Sequence, residues 1–181
     1  MSRQLTQGEM KLAKDVFGSS IDLARVRIHD EKYIFFQPRN SGMTPNGEIY
    51  VHGAYRADYS NADADLQAFF IHEMVHVWQH QTGVLKAGVI GSAIMEMIGH
   101  VGDYAAAYSY SLDGAKDLTD YGLEQQAAIV EDYVRLTRLG IKVLHAAPPV
   151  SRALYEEVLN RFLTDPTYGH RPYQRVCAVR R

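Results

Sequence analysis

The stretch that decides the fold is Phe70–Gln81, FIHEMVHVWQHQ, where three histidines and one glutamate interrupt a run of large apolar residues. His72, Glu73 and His76 form the pattern H-E-x-x-H. Residues four apart on a helix project from one face, so both imidazoles are expected to point the same way. This spacing allows two ring nitrogens to bind one zinc ion at about 2.0–2.1 Å. The stretch therefore predicts a metal site on a helix that is mostly buried.

Glu73 lies one step round the helix from the two histidines, so we expect it beside the metal and not bound to it. There its carboxylate can accept a proton from a metal-bound water whose pKa is lowered to about 7. The alternative is a surface helix that carries its histidines on the wet face. Little of the helix surface can be exposed to solvent, because most of the neighbouring residues are large and apolar: Phe69, Phe70, Met74, Val75, Val77 and Trp78.

A catalytic zinc site needs a third protein ligand and one open position. Glu124 is the candidate, in the first turn of a later predicted helix, where Ala127 and Ala128 offer a small apolar surface for close packing against the motif helix. The alternative for Glu124 is an ordinary glutamate favoured by the dipole at the start of a helix. Other residues that would then fill the position are Asp103, His100 and Glu131.

Three further residues are candidates for supporting roles. Glu131, two turns after Glu124 on the same face, is a candidate to orient a ligand. Gln79 stands in line with His72 and can orient a ligand, bind a substrate carbonyl, or satisfy a neighbouring backbone group. Tyr121 either donates a hydrogen bond to a developing oxyanion or packs under a loop with its hydroxyl in water. The histidines without a partner at ligand spacing are expected to be surface or structural residues: His29, His52, His100, His145 and His170.

The pattern of apolar residues and turn formers predicts an α+β fold, with a small N-terminal sheet, an active-site helix and a mainly helical body. The β-rich runs are Arg25–His29, Tyr33–Phe36 and Glu48–His52. Helices are predicted after a capping box at Thr6 and Glu9, from Ser60 or Asn61 to Gly83, over Leu85–Val101, from Leu123 to Gly140 and over Ser151–Leu163.

Length and composition favour a single globular domain. The 181 residues contain 46% hydrophobic and 22% charged residues, and the net charge of −2 gives no electrostatic reason to expect a nucleic-acid partner. We expect one domain over residues 1–181, with a core at 5–144 and a C-terminal helix and basic tail at 145–181. The single cysteine, Cys177, excludes an intramolecular disulfide and a cysteine-based zinc site.

The sequence also bears on targeting. The polar start, MSRQLTQGEM, lacks the apolar segment of a signal peptide. The most apolar window, Ala87–Ile98, is shorter than the ~20 residues of a membrane span, contains Glu96, and fits a buried or pocket-covering helix. We therefore expect that the protein is made in the cytoplasm and has no membrane span. Export by a route that needs no signal peptide is left open.

Several segments of the sequence resemble known protein families. The motif helix followed by a glutamate on a later helix is similar to the gluzincin type of the zincin metallopeptidases. Four segments together resemble the bacterial Vgr-related proteins, whose motif helix is similar to zincin-like domains of secreted toxins. These segments are LTQGEMKLAKDVFGSSID (5–22), MTPNGEIYV (43–51), FIHEMVHVWQHQTG (70–83) and DYGLEQQAAIVEDY (120–133).

The resemblance implies a zinc metallopeptidase fold in which His72, His76 and Glu124 bind Zn²⁺ and Glu73 is the general base. It also implies a peptide or protein substrate and a link to components of type VI secretion. One departure stands out. Gluzincins often place an aspartate four residues after the third ligand to brace a histidine, and here that position is Ala128.

Two functions follow from these observations. The first is a zinc-dependent hydrolase of the peptidase class, with Glu48–His52 as an edge strand that pairs with an extended substrate. The alternative is a non-catalytic, zincin-like metal-binding module associated with type VI secretion. A purely helical structural domain without metal is a third hypothesis, disfavoured by the ligand spacing. Glu73 discriminates between the first two, because only catalysis needs it.

Overall fold

The computed structural model describes residues 1–84, 107–147 and 150–170. In these ranges a small mixed sheet and a set of helices share one hydrophobic core, which confirms the predicted α+β class. Ile28, Ile49 and Val51 of the sheet lie in that core together with Met74 and Trp78 of the motif helix. None of the helices in the described ranges has both the length and the apolar character needed to cross a membrane.

The sheet has four described strands in the order β1-β2-β4-β3, with bounds β1 Ser2–Gln4, β2 Arg27–Asp30, β3 Ser41–Met43 and β4 Ile49–His52. The central pair, β2 and β4, is parallel, and each outer strand is antiparallel to its neighbour. Burial alternates along β4, where Ile49 and Val51 are buried and the residues between and after them are partly exposed. The sheet therefore presents one apolar face to the helices.

Two strand predictions are wrong. Tyr33–Phe36 is a turn, because Gln37 accepts the Tyr33 N–H through its side chain and donates its own N–H to Ile34. Glu48–His52 contains a strand, but this strand is interior, because β3 covers the edge that was expected to be free. β3 and β1 escaped prediction because three residues are too few to show an alternating pattern.

The helices have the bounds α1 Gln7–Phe17, α2 Ala64–Thr82, α3 Leu123–Val134, α4 Arg152–Val158 and α5 Asn160–Thr164. The capping box of Thr6 and Glu9 is confirmed, as is the end of α2 at Gly83, which has a φ of 76°. A π-helical segment, Arg135–Leu139, extends α3 to Gly140 as predicted. Short 3₁₀ turns cover Leu23–Arg25, Tyr59–Asn61, Leu118–Asp120 and Pro166–His170.

Two helix boundaries differ from prediction. The N-cap of α2 is Asp63, whose Oδ1 accepts the Leu66 N–H at 2.9 Å, because the expected caps Ser60 and Asn61 belong to the preceding 3₁₀ turn. The predicted final helix is interrupted at Leu159, although Ser151 caps it as expected. The following predictions lie outside the described residues: the helix Leu85–Val101, the apolar window Ala87–Ile98, His100, Asp103, Cys177 and the basic tail.

The contact between α2 and α3 positions the site. Ala127 and Ala128 of α3 are fully buried, so the two helices approach closely, as their small side chains predicted. At the other end of α2, the Trp78 indole N–H donates to the Pro166 carbonyl at 2.7 Å and joins the C-terminal segment to the motif helix. α2 is thus held along its length.

Candidate metal centre

Three predicted ligands, His72, His76 and Glu124, converge between α2 and α3. The Nε2 atoms of the two histidines lie 3.3 Å apart. The Oε2 atom of Glu124 lies 3.3 Å from Nε2 of His72 and 3.2 Å from Nε2 of His76. Within the described residues these three form the group of side chains whose donor atoms are close enough to share one ion.

The spacing of these donor atoms fits zinc. Two atoms bound to a tetrahedral ion are separated by about 1.63 times the bond length, which for zinc bonds of about 2.0–2.1 Å is about 3.3–3.4 Å. The three observed separations, 3.2, 3.3 and 3.3 Å, form a triangle of that size. A hydrogen-bonded cluster without metal can have similar distances, so the protonation of the imidazoles becomes the deciding question.

Both histidines have an oxygen acceptor on their Nδ1 atom. Nδ1 of His72 lies 3.1 Å from the Glu131 carboxylate, and Nδ1 of His76 lies 2.9 Å from the Gln79 side-chain oxygen. The Gln79 amide cannot be turned round, because its nitrogen donates to the Leu123 carbonyl and to Oε1 of Gln126, both at 3.0 Å. Each Nδ1 therefore carries the proton, and in the neutral ring the Nε2 lone pair faces Glu124, as metal binding requires.

Glu131 is the centre of a second group of charged residues behind His72. It is buried, and besides His72 its carboxylate lies 3.3 Å from Nε2 of His145 and 3.4 Å from Nη1 of Arg135. Burial raises the pKa of Glu131, but the hydrogen bonds with His145 and His72 outweigh it and hold the pKa well below its usual range. An ionised Glu131 is a strong acceptor for the His72 N–H.

Protons compete for the same site when no metal is bound. Burial lowers the pKa of His72, yet hydrogen bonds with Glu124 and Glu131 outweigh it and raise this pKa well above 6.5. Burial likewise raises the pKa of Glu124, but the charge of His76 and the hydrogen bond with His72 bring it well below its usual range. A metal ion that binds here has to displace a proton from the imidazoles.

Glu73 is buried beside the two histidines and faces the sheet. Its Oε2 accepts a hydrogen bond from the Thr44 hydroxyl at 2.7 Å. Burial raises the pKa of Glu73, and this effect exceeds the opposing influence of His76 and His72. A carboxylate with a raised pKa is better matched to proton transfer near neutral pH.

Tyr121 takes part in the site through its main chain. Its hydroxyl accepts the Asp113 N–H at 2.9 Å, and the Lys116 ammonium lies 5.5 Å from the centre of its ring. Its carbonyl oxygen accepts from Gln126 at 2.7 Å, and Gln126 in turn contacts Gln79. A role of the Tyr121 hydroxyl toward an oxyanion stays a prediction. The ring of Tyr108, in contrast, lies 5.5 Å from the ring of His72.

Sequence reasoning missed several contacts of the site. Thr44, on the turn after β3, contacts Glu73, and Gln126 orients Gln79. His145, expected to be a surface or structural residue, contacts the carboxylate behind His72. These contacts join residues 14 to 47 positions apart. A spacing pattern within one helix or strand therefore could not predict them.

Comparisons with known proteins give one consistent relative. No protein-family model matches the sequence. The chain is 45% identical over 135 residues to the type VI secretion system spike protein VgrG2b of Pseudomonas aeruginosa, a match that covers 72% of the chain and 13% of that protein. The solved effector domain of VgrG2b superposes with a TM-score of 0.63 at 38% identity, over 88% of the chain and 81% of the domain. The chain therefore belongs to the family of the VgrG2b effector domain.

Proposed function

We propose that the chain is an effector module of a type VI secretion system and that it hydrolyses peptide bonds with the help of a bound zinc ion. The secretion link is supported by kinship with the VgrG2b effector domain. The chain spans only 13% of the spike protein it matches, so the link concerns the effector part. Export without a signal peptide is consistent with this proposal.

The observation that supports the chemistry is the triangle of His72 Nε2, His76 Nε2 and Glu124 Oε2, with edges of 3.2–3.3 Å. These residues would hold the ion by three protein ligands and leave a position open. Zinc bound there would lower the pKa of water to about 7 and polarise a carbonyl group. The Nδ1 contacts with Glu131 and Gln79 orient the two imidazoles.

Glu73 would act as the proton acceptor. Its carboxylate is buried next to the histidines, and its raised pKa suits a group that takes a proton from the attacking water and returns it to the leaving amine. A module that only binds metal has no need of an ionisable group at this position. Glu73 therefore favours the hydrolase over the non-catalytic alternative.

An extended peptide would pair with β3, and not with the interior strand β4. β3 is an outer strand of the described sheet, and Gly42 and Thr44, in and just after it, lie against Glu73. Main-chain hydrogen bonds to such an edge provide affinity without demanding a particular side chain. We therefore propose a peptide substrate in extended conformation.

The non-catalytic alternative remains a metal-binding module that serves secretion. The similar proteins are a type VI secretion spike protein and its effector domain, and this similarity supports the secretion part of both hypotheses. A cleavage assay distinguishes the hydrolase from the non-catalytic module.

The experiment is a digest of a peptide library by zinc-loaded protein, read by mass spectrometry. Glu73→Gln should keep its zinc and its fold but lose activity by about 10²- to 10⁴-fold, since an amide cannot accept the proton. Glu156→Gln, at a partly exposed glutamate that pairs with Arg152 and accepts from the Tyr133 hydroxyl, is the matched control and should cleave like wild type. Equal cleavage by Glu73→Gln would contradict the role of Glu73. No cleavage by zinc-loaded wild type would favour the non-catalytic module.

A further inference from the structure

We propose that Thr44 and Gly42, at and beside the edge strand β3, are positioning residues for the Glu73 carboxylate. Thr44 holds one carboxylate oxygen by a hydrogen bond, and Gly42 leaves the space that the other oxygen occupies. This inference rests on the proposed function of Glu73 as proton acceptor and assigns the strand a second task besides binding substrate.

The hydrogen bond between Thr44 and Glu73 is short and largely buried. Thr44 Oγ1 donates to Glu73 Oε2 at 2.7 Å, and the two residues are only 9% and 4% exposed. A hydroxyl that donates to an ionised carboxylate makes one of the stronger hydrogen bonds in proteins, and burial strengthens it further. The bond restricts the rotation of a carboxylate that otherwise has several accessible rotamers.

Position 42 has room only for a glycine, because the Glu73 side chain lies directly against it. A Cβ atom at this position would lie 2.3 Å from Oε1 of Glu73 and 2.4 Å from its Cδ. Gly42 is not among the glycines with positive φ, so backbone conformation does not explain the choice of residue. Any side chain here would push the carboxylate away from Thr44 or move the strand.

The turn that follows β3 is fixed to the same face of α2. Gly47 approaches His80 so closely that a Cβ atom would lie 2.6 Å from the imidazole Nδ1. His80 stands seven residues after Glu73, two turns along the helix on nearly the same face. The segment from Gly42 to Gly47 therefore lies close against α2 at both ends. A rigid support of this kind is what a proton acceptor needs, because small misplacements of a reacting group reduce the rate.

The kinetic test compares four variants of the full chain loaded with zinc. Thr44→Val keeps the shape of the side chain but removes the hydrogen-bond donor. We expect kcat to fall by about tenfold or more, which is part of the ~10²- to 10⁴-fold rate increase that a proton acceptor supplies. KM and zinc content should stay unchanged. Thr44→Ser keeps a hydroxyl and should restore most of kcat. Gly42→Ala should also lower kcat. Thr164→Val, which removes a hydroxyl that donates to the Asn160 carbonyl on α5, far from the proposed site in the sequence, should behave like wild type.

A second measurement does not depend on activity. In urea unfolding of the zinc-free protein, Thr44→Val, Glu73→Ala and the double variant form a thermodynamic cycle. We expect the double variant to be less destabilised than the sum of the single variants. This cycle also covers the case in which Gly42→Ala fails to fold.

The two measurements separate this proposal from the proposed function. If wild type cleaves and Thr44→Val retains full kcat, Thr44 does not position Glu73 and the inference is overturned while the hydrolase stands. If wild type cleaves nothing, the hydrolase fails, and the cycle alone decides: coupled effects support the placement of the carboxylate by Thr44, and additive effects overturn it.

Discussion

Nδ1 of His72 lies 3.1 Å from Oε2 of Glu131, a residue seven positions after the proposed third ligand, Glu124. In the gluzincin pattern an aspartate four positions after that ligand braces a histidine, and Ala128 occupies this position here. Ala128 is fully buried in the contact between α2 and α3. The longer side chain of Glu131, from nearly the next turn of the helix, supplies the acceptor instead. In the proposed metal site, Glu131 would therefore take the place of such an aspartate.

The first prediction concerns this brace. Glu131→Gln removes the charge that strengthens the hydrogen bond from His72, so zinc affinity should fall about 10- to 100-fold. Competition titration with a chelator measures it. The matched control is Glu156→Gln on the surface. Unchanged affinity in Glu131→Gln would mean that His72 needs no brace.

The second prediction concerns Gln79, which orients His76. Gln79→Ala removes the acceptor of the His76 Nδ1–H and leaves the Leu123 carbonyl and Gln126 without their donor. We expect about tenfold weaker zinc binding, together with lower stability in urea unfolding. Gln81→Ala, on the same helix, loses the hydrogen bonds with the main chain of Asp22 that the described residues show, and it should bind zinc like wild type. Equal zinc affinities of the two variants would refute the role of Gln79.

The third prediction is a pH dependence of the zinc-free protein. The folded state raises the pKa of His72, so its contribution to stability is complete below about pH 6.5 and is lost as pH rises through the higher folded value. The pKa values of Glu124 and Glu131 are lowered, so their contributions are present above about pH 4.5 and are lost as pH falls. The cluster therefore stabilises the zinc-free fold most between these limits.

Urea unfolding at about pH 6 and pH 9 tests this dependence. The free energy of unfolding of zinc-free wild type should be lower at the higher pH. His72→Asn should reduce that difference and leave the share of His76, whose pKa the nearby Glu124 also raises, whereas His80→Asn, on an exposed position of the same helix, should retain all of it. A pH dependence that persists undiminished in His72→Asn would assign the effect to other groups.

The fourth prediction concerns Asp132, a fully buried carboxylate on α3. It accepts the three consecutive N–H groups of residues 144–146 and the Tyr110 hydroxyl, and so ties the segment that carries His145 to α3. Asp132→Asn replaces one acceptor oxygen by a donor, and we expect a loss of about 2–4 kcal/mol in the free energy of unfolding. Asp63→Asn should change stability little, because asparagine caps a helix as well as aspartate does. Comparable stability of the two variants would contradict the account of Asp132.

Local rules predicted the helices well and the sheet poorly. The capping box at Thr6, the stop at Gly83 and the end near Gly140 depend on residues within one turn of each other. β1 and β3 depend on partners far along the chain, and three-residue strands carry no periodicity of their own. The run Tyr33–Phe36 has strong β propensity, yet hydrogen bonds of Gln37 close it into a turn.

The same distinction applies to the candidate site. His72, Glu73 and His76 follow from a spacing of four on one helix, and the packing of α3 brings Glu124 to them through a surface of alanines that the sequence displayed. The contacts of Glu131 and Gln79 with the two histidines could be anticipated because each residue shares a helix face with a proposed ligand. Thr44 lies on a turn and His145 on a loop, and the tertiary fold decides where these two segments lie. Local sequence patterns therefore could not predict their contacts.

The most direct test of the account is the zinc content of the purified chain, measured by elemental analysis beside zinc affinity. We predict about one zinc ion per chain for wild type and for Glu48→Ala, which removes a partly exposed glutamate paired with His29. His72→Ala, His76→Ala and Glu124→Ala should each lose the ion or bind it far more weakly. Wild-type zinc content and affinity in all three variants would contradict the metal site and the chemistry proposed from it.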